Sequence, residues 1–475
     1  MVKRLLVFCD RLHWLWLALA VPFMLFPPPI CNLAMLVVPG LFMLRWLALR
    51  GKQQKAPGGA QAETYHRPSA IPRTPLNGTM LLMMLMILVS LWATYDVSVS
   101  LPAISGTVLG LGVYYAFVRL GHKSRGWWMS LIFFLIAIVG LAVVGLFGIR
   151  WGAITKIGFI SPIILQTPPL LIGFPGVDNG LNPNEVAGAL VWALPLMMTI
   201  SVALFFLQQP QKRENANVLR KDWQKKIPEW RLVGVRILSL AATFFIGAVF
   251  LLCQSRAGYI AMALTLFALM LIALPPRWRW YSLAILVLLA IILGILLGLR
   301  WEAVRVWITG SDMGTDPSNY LNSLEGRMEI WSRALYGIQD FPFTGMGMNA
   351  FRKVVMVLYP LFQADTEIDI GHAHNEFLQV ALDLGIPGLI AFIALYLGAF
   401  WMLLQIWRDQ SLQNLPVTGM ISNRWLVVGL GSGLLAHMLY SLTDAIPLGS
   451  KYGLLFWMLL GLVAALYEQV CSKRY

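Results

Sequence analysis

Residues 384 to 407 read LGIPGLIAFIALYLGAFWMLLQIW, twenty-four positions without an Asp, Glu, Lys, Arg or His. A run of this length crosses a hydrocarbon layer of about 30 Å as a helix rising about 1.5 Å per residue, with its backbone hydrogen bonds all made internally. Working outward, the chain carries twelve such runs, near 8 to 26, 30 to 49, 75 to 95, 101 to 119, 127 to 149, 185 to 207, 234 to 253, 257 to 274, 281 to 299, 384 to 407, 425 to 443 and 450 to 468. Apolar residues make up 58% of the sequence and charged residues 12%, more greasy surface than a water-soluble core can bury. The expected fold is therefore all-α, a polytopic membrane protein of about twelve transmembrane helices. The first run follows Met-Val-Lys-Arg like a signal sequence, but Pro27-Pro28-Pro29 leads directly into the second without a small-residue cleavage site, so it is read as a retained span.

Basic residues set the expected orientation, because Lys and Arg accumulate in short cytoplasmic loops. With both termini inside, the loops holding Lys52 to Arg73, Arg119 to Arg125, Lys212 to Arg231, Arg277 and Arg279, Arg408 to Arg424, and Lys473 with Arg474 fall on the cytoplasmic side. Ten basic residues remain outside, among them Arg256, Arg327, Arg333, Arg352 and Lys451. The net charge of +14 is thus mainly a topology signal, and nucleic acid is excluded as a partner because these residues share no single folded surface. Cys9, Cys31, Cys253 and Cys471 are scattered, with no metal-ligand spacing and no disulfide framework.

Three regions follow: residues 1–299 with nine spans and an external loop at 150–184, a large external loop at 300–383, and three closing spans in 384–475. Long loops in a compact membrane protein are usually functional or disordered. The large one contains helical apolar spacing from Met328 to Ile338 and an aromatic, glycine-rich stretch from Phe341 to Phe351, which predicts short amphipathic helices over the outer face. Its Gly310 to Asn322 stretch has the composition of a flexible linker.

That loop ends in Gly371-His-Ala-His-Asn-Glu-Phe-Leu-Gln-Val-Ala-Leu-Asp383, two imidazoles and a carboxamide placed at a membrane face just before a span. His374-Asn375, nine residues, Gly385, two residues, Gly388 resembles the His-Asn-x9-Gly-x-x-Gly signature of the O-antigen ligase and polymerase superfamily. The similarity extends to Ser255-Arg256, to Gly326-Arg327 with Trp331, to Pro342-x-x-Gly345-x-Gly347 with Phe351, and to Asn182-Pro183-Asn184, about 210 residues in the family's order. The resemblance implies a GT-C-like glycosyltransferase on the outer face of the bacterial inner membrane. Such an enzyme moves a glycan from a polyprenyl (undecaprenyl) pyrophosphate carrier to a hydroxyl of a glycan, lipid or protein acceptor, without metal or other cofactor.

The resemblance selects His374 as base and Arg256 and Arg327 as the cations that take the leaving pyrophosphate's charge. Ser255, Asn375, His372, Arg333 and Trp331 are expected to contribute to substrate binding. Elementary chemistry agrees in outline: guanidinium groups offer bidentate donors to phosphate, and imidazole accepts a hydroxyl proton near neutral pH.

Each residue also has a blander reading. Arg256 at a helix end could snorkel to lipid phosphates. Arg327 could pair with Glu325 or Glu329, and Arg333 could lie on a solvated helix face. Asn375 could cap the following helix, and Glu376 reads as a helix-surface carboxylate. His437 and Asp444 could line the external cavity or pair with neighbours. Gly385 and Gly388 with Pro387 are expected to shape the entry into the span, Pro387 in its first turn.

Asp365, Glu367 and Asp369 with His372 and His374 form a second constellation that could ligate a divalent ion. Carboxylates on a wet loop are normally just solvated, and the family pattern works through Arg and His, so no metal is assigned. The alternatives to a ligase are a polymerase of the same superfamily and an anion (bicarbonate) transport-related protein. Against transport, the spans at 127 to 149, 257 to 274 and 281 to 299 contain no ionisable Asp, Glu, Lys, Arg or His, and the span at 101 to 119 carries only Arg119, at its cytoplasmic end.

Overall fold

The structure is a computed structural model describing residues 34–53, 71–151, 168–173, 177, 180–205, 229–299, 324–361, 370–409 and 421–471. Among these the chain is helical, and the one strand-like contact is an isolated parallel bridge between Ile149 and Leu181. In chain order the helices are α1 Ala34–Gln53, α2 Asn77–Ala93, α3 Val97–Gly121, α4 Ser124–Gly148, α5 Pro183–Val191, α6 Leu194–Phe205 and α7 Glu229–Leu252. They continue with α8 Arg256–Ala273, α9 Pro276–Leu299, α10 Leu324–Asp340, α11 Phe351–Leu358, α12 Glu376–Arg408, α13 Asn423–Tyr440 and α14 Leu454–Cys471.

Eleven of the twelve apolar runs lie on these helices, and the first, 8 to 26, lies outside the described residues. Five helices (α3, α4, α7, α8 and α12) are long and apolar enough to cross a membrane, or six if α5 and α6, bent by 40° at their junction, form one broken span. The predicted run at 185 to 207 is that bent pair. Its start is set locally: Asn182 accepts the Asn184 N–H at 2.9 Å, and Pro183 occupies the first turn, where a missing N–H costs nothing. Asp96 starts α3 in the same manner, accepting from the Ser98 N–H at 2.8 Å.

The core gathers α3, α13 and α14, whose side chains are mostly buried, while α2, α7 and α9 expose rows of Leu, Ile and Val such as Leu81, Leu85 and Leu88 or Ile237 and Leu238. Such rows suit lipid rather than water. α3 and α14 pack closely; a Cβ on Gly110 would sit 2.1 Å from the Trp457 ring. Trp278, Trp280 and Tyr281 are exposed at the start of α9, where interfacial aromatics anchor a helix.

A second, smaller core forms beside the first turns of α12. Ile330, Ala334, Met346, Phe351, Val355, Leu361, Ile370, Ala373 and Leu382 pack together, so α10 and α11 dock on the first turns of α12. The amphipathic helices expected in the large loop are these two. Gly310 to Asn322 lies outside the described residues.

Two glycine motifs fix this docking. α12 breaks at Gly385, whose φ of 71° and ψ of 179° lie in a region essentially restricted to glycine. A Cβ there would stand 2.7 Å from the carbonyl of Phe343, and one on Gly345, itself at φ +67°, would stand 2.7 Å from the backbone of Asp383. Reciprocal bonds, Met346 N–H to Leu382 O and Ile386 N–H to Pro342 O, both 2.7 Å, close the junction. Pro387 therefore lies in the first turn after the break, where its missing N–H is tolerated.

Candidate functional site

The predicted stretch from His372 to Glu376 is anchored on both sides. Asn375 caps α12, accepting the Leu378 N–H at 3.0 Å, while its amide donates to Leu442 O at 2.9 Å. Both arms of this side chain are thus committed to structure. His374 has φ +47°, a left-handed conformation uncommon for a residue with a side chain. The local bonds that hold it there are clear: its N–H donates to His372 Nδ1 at 3.1 Å, and its carbonyl accepts from Trp331 Nε1 at 3.3 Å.

The two imidazoles consequently differ. His372 Nδ1 is an acceptor, which makes the ring neutral with its proton on Nε2. Burial first, then the charge of His374, push its pKa down to about 4. His374 Nδ1 lies 3.2 Å from Asp444 Oδ1. An ionised carboxylate only accepts, so Nδ1 carries a proton, and in the neutral ring the lone pair is then on Nε2.

Asp444, beyond the C-terminal end of α13, is the residue that sequence reading left undecided, and it pairs with neighbours. Its second oxygen is 3.5 Å from Arg327 Nη2, and Arg327 Nη1 also donates to the Thr443 carbonyl. Burial raises the Asp444 carboxyl, but the hydrogen bond and charge of His374, with His372 and Arg327, outweigh it and hold it well below the ordinary carboxylate range. Arg327 is thus paired across the fold with Asp444. Its Nε is buried without a hydrogen-bond partner.

Arg327 and Trp331, one helical turn apart on α10, face this cluster together. Arg333 does not share that face. It bonds Pro360 O at 3.2 Å, lies 3.5 Å from Glu329 and sits over the Tyr336 ring, 8% exposed, so the expectation of a solvated arginine fails because the small core of α10 and α11 encloses its stem.

Ser255 and Arg256 open α8. Ser255 is fully buried, with its hydroxyl accepting the Gly258 N–H at 3.3 Å as an N-cap, which accounts for a serine at this position without any ligand. Arg256 follows as the first helical residue and is within electrostatic reach of Arg327. The two predicted arginines, from α8 and α10, therefore share one electrostatic neighbourhood with His374.

Glu376 corrects the sequence reading. It is no surface carboxylate but 1% exposed, accepting the Ile446 N–H at 2.8 Å, because the 441–446 turn folds over the start of α12. No periodicity signals this, since the covering turn is some seventy residues away in sequence. Asp365, Glu367 and Asp369 lie outside the described residues. Among the described residues, His372, His374 and Asp444 could present donor atoms to a metal within 4.8 Å of one another, yet the Arg327 guanidinium already stands against that carboxylate.

The arrangement therefore holds a candidate base, an oriented carboxylate and two cations at one end of the helical bundle. Residues 241–393 match the family model described as O-Antigen ligase. A curated O-antigen ligase of Pseudomonas aeruginosa PAO1 is 27% identical over 143 residues, a match that spans 30% of this chain and 31% of the relative. These similarities support the O-antigen ligase and polymerase superfamily for this chain. The matched segment holds Ser255, Arg256, Arg327, Trp331, both glycine motifs, His374 and Asn375, whereas Asp444 lies beyond it.

Proposed function

We propose that the protein is a glycosyltransferase of the O-antigen ligase type, a multi-pass protein of the bacterial inner membrane with cytoplasmic termini, a twelve-span GT-C-like architecture and a site open to the outer face. The observation that carries this reading is the chain of contacts from His374 through Asp444 to Arg327, with Arg256 in reach, inside and beside the segment that resembles O-antigen ligases.

In this reading the donor is a glycan on a polyprenyl (undecaprenyl) pyrophosphate. The acceptor hydroxyl, on a glycan, lipid or protein, attacks the anomeric carbon and gives its proton to His374 Nε2. The bond from that carbon to the pyrophosphate oxygen breaks, and the departing charge is taken by Arg256 and Arg327. Asp444 keeps the Nδ1 proton in place and so presents the Nε2 lone pair. Trp331 fixes the backbone of His374. His372 and Asn375 shape the wall of the site, and Arg333 supports α10. The chemistry is assigned to Arg and His without a metal. A polymerase would use the same donor chemistry; the ligase reading is favoured by the description of the matching family model.

Purified protein with a lipid pyrophosphate-linked glycan and acceptor tests this. Arg256→Ala is expected to lower transfer on the order of a hundredfold with normal membrane accumulation, as loss of one charge-stabilising donor does. Excess chelator is expected to leave the wild-type rate unchanged. Full activity of Arg256→Ala, or a chelator-induced loss restored by one metal, would overturn the mechanism.

A further inference from the structure

Glu376 and the buried groups behind it are unused by the mechanism above. The turn that carries Asp444, from Ser441 to Ile446, is tied to the start of α12 at both ends and to α10 in between. The Glu376 N–H donates to Ser441 O at 2.9 Å, the Asn375 amide to Leu442 O at 2.9 Å, and Arg327 to Thr443 O. The Ile446 N–H donates to Glu376 Oε2 at 2.8 Å, and the Ala445 N–H to Asp444 Oδ1 at 3.0 Å. One residue, Glu376, therefore grips both ends of the turn, by its backbone at one end and its carboxylate at the other.

A second layer stands behind that carboxylate. His437 Nε2 is 3.9 Å from Glu376 Oε2 and has no hydrogen-bond partner, while Nδ1 lies 2.8 Å from the Tyr396 hydroxyl and 3.2 Å from Ser441 Oγ. The His437 ring stacks on Trp192 at 3.8 Å with 18° between planes, which fixes its orientation. The other ionisable groups acting on Glu376 are Asp383 of its own helix and Asp444. In a network this buried, a lost partner is costly, because an orphaned carboxylate or imidazole cannot turn to water.

We propose that Glu376, backed by His437, is a positioning residue that holds Asp444 between His374 and Arg327. Without the carboxylate, the Ile446 N–H loses its acceptor, the turn is gripped at one end only, and Asp444 no longer fixes the His374 ring. The inference rests on the transferase reading only where turnover is measured; the geometry of His374 can be read without any reaction.

The test therefore has two arms. Carbethoxylation of His374 by diethyl pyrocarbonate, mapped by peptide mass spectrometry in the full-length protein in detergent, reports how firmly Asp444 engages the ring. Transfer kinetics report kcat and KM. In Glu376→Ala, His374 labelling is expected to rise severalfold and kcat to fall about tenfold or more with KM within about twofold, as for loss of a group acting at the transition state. Glu376→Gln keeps an acceptor for Ile446 and is expected to restore both readouts.

Asp444→Ala is expected to raise labelling as Glu376→Ala does, and the double variant no further, the non-additivity expected of residues acting as one unit. Should Glu376→Ala fail to accumulate, His437→Phe, which keeps a ring on Trp192, is expected to move labelling and kcat in the same direction. Unchanged labelling in Glu376→Ala or, in its place, His437→Phe, a glutamine variant as impaired as alanine, or additive effects with Asp444→Ala would overturn the proposal. Absence of transfer by the wild type would instead sink the transferase reading, and transfer that survives in His374→Ala would sink the base assignment, either one leaving the labelling result standing.

Discussion

His372 and His374 are two residues apart and chemically unlike, and the difference is set by what each Nδ1 meets. A backbone N–H keeps His372 neutral, while a carboxylate orients His374. This assignment bears on stability. The pKa of His372 is about 4 in the folded protein against an ordinary 6.5, so as pH falls the unfolded chain takes the proton first. The folded state then loses stability from about 6.5 downward, the loss is complete near pH 4, and its upper bound is roughly 3 kcal/mol at 1.36 kcal/mol per unit. Asp444 acts in the same direction only in more acid solution, because its carboxyl titrates below the ordinary range. Thermal unfolding in detergent between pH 7 and pH 5 should therefore show a steeper decline for the wild type than for His372→Asn, which cannot take up that proton. Equal slopes would remove His372 as the cause. At this scale the sequence singled out candidate side chains but not how they pair. His374, Arg256 and Arg327 were legible through the motif, Asp444 only as an ambiguous carboxylate, and Glu376 was misread, because its burial depends on a turn distant in sequence.

Among the elements, α12 shows most plainly what a local pattern can and cannot predict. Its apolar run and Pro387 are visible in the sequence, and so is a need for small residues near Gly385. What is not visible is the partner: the glycines at 345 and 385 are required by each other, since each presses on the backbone beside the other at 2.7 Å. Two glycine spacings far apart in the chain are thus one structural junction that docks α10 and α11 on α12. Gly385→Ala should strain the break and clash with the Phe343 carbonyl, a loss of about 1–3 kcal/mol for the conformation alone. The expected result is a lower melting temperature together with lost docking of α10, and therefore looser contact of Trp331 with His374. Limited proteolysis within the 324–361 region checks it: faster cleavage in the variant is predicted, and a wild-type pattern would show that the junction does not hold those helices. The N-cap at Asn375 follows from the sequence more directly, since a cap is a contact between near neighbours.

Among the described residues, the groups of the candidate site gather where the ends of several helices meet. Composition alone requires a multi-pass helical membrane protein, and eleven of twelve apolar runs reappear as described helices. The count of spans is less direct. Five or six helices meet the length and apolarity of a crossing, while Asn77–Ala93 and Leu454–Val470 are shorter apolar helices, and a short helix crosses by local thinning of the bilayer or by its packing against neighbours. Hydropathy reads each run in isolation and so cannot see the bend between α5 and α6 or the break in α12. The site sits where α8, α10, α12 and the turn after α13 meet, which is why a motif spread over more than a hundred residues acts as one place. The central claim is that His374 at this meeting point accepts the acceptor's proton during transfer from a lipid pyrophosphate-linked glycan. The most direct test is single-turnover transfer by purified wild type and His374→Ala, matched for folded protein. The account predicts a loss of roughly 10²–10⁴-fold in the chemical step with donor binding retained, the range for removal of a general base. Transfer by His374→Ala at the wild-type rate would contradict it.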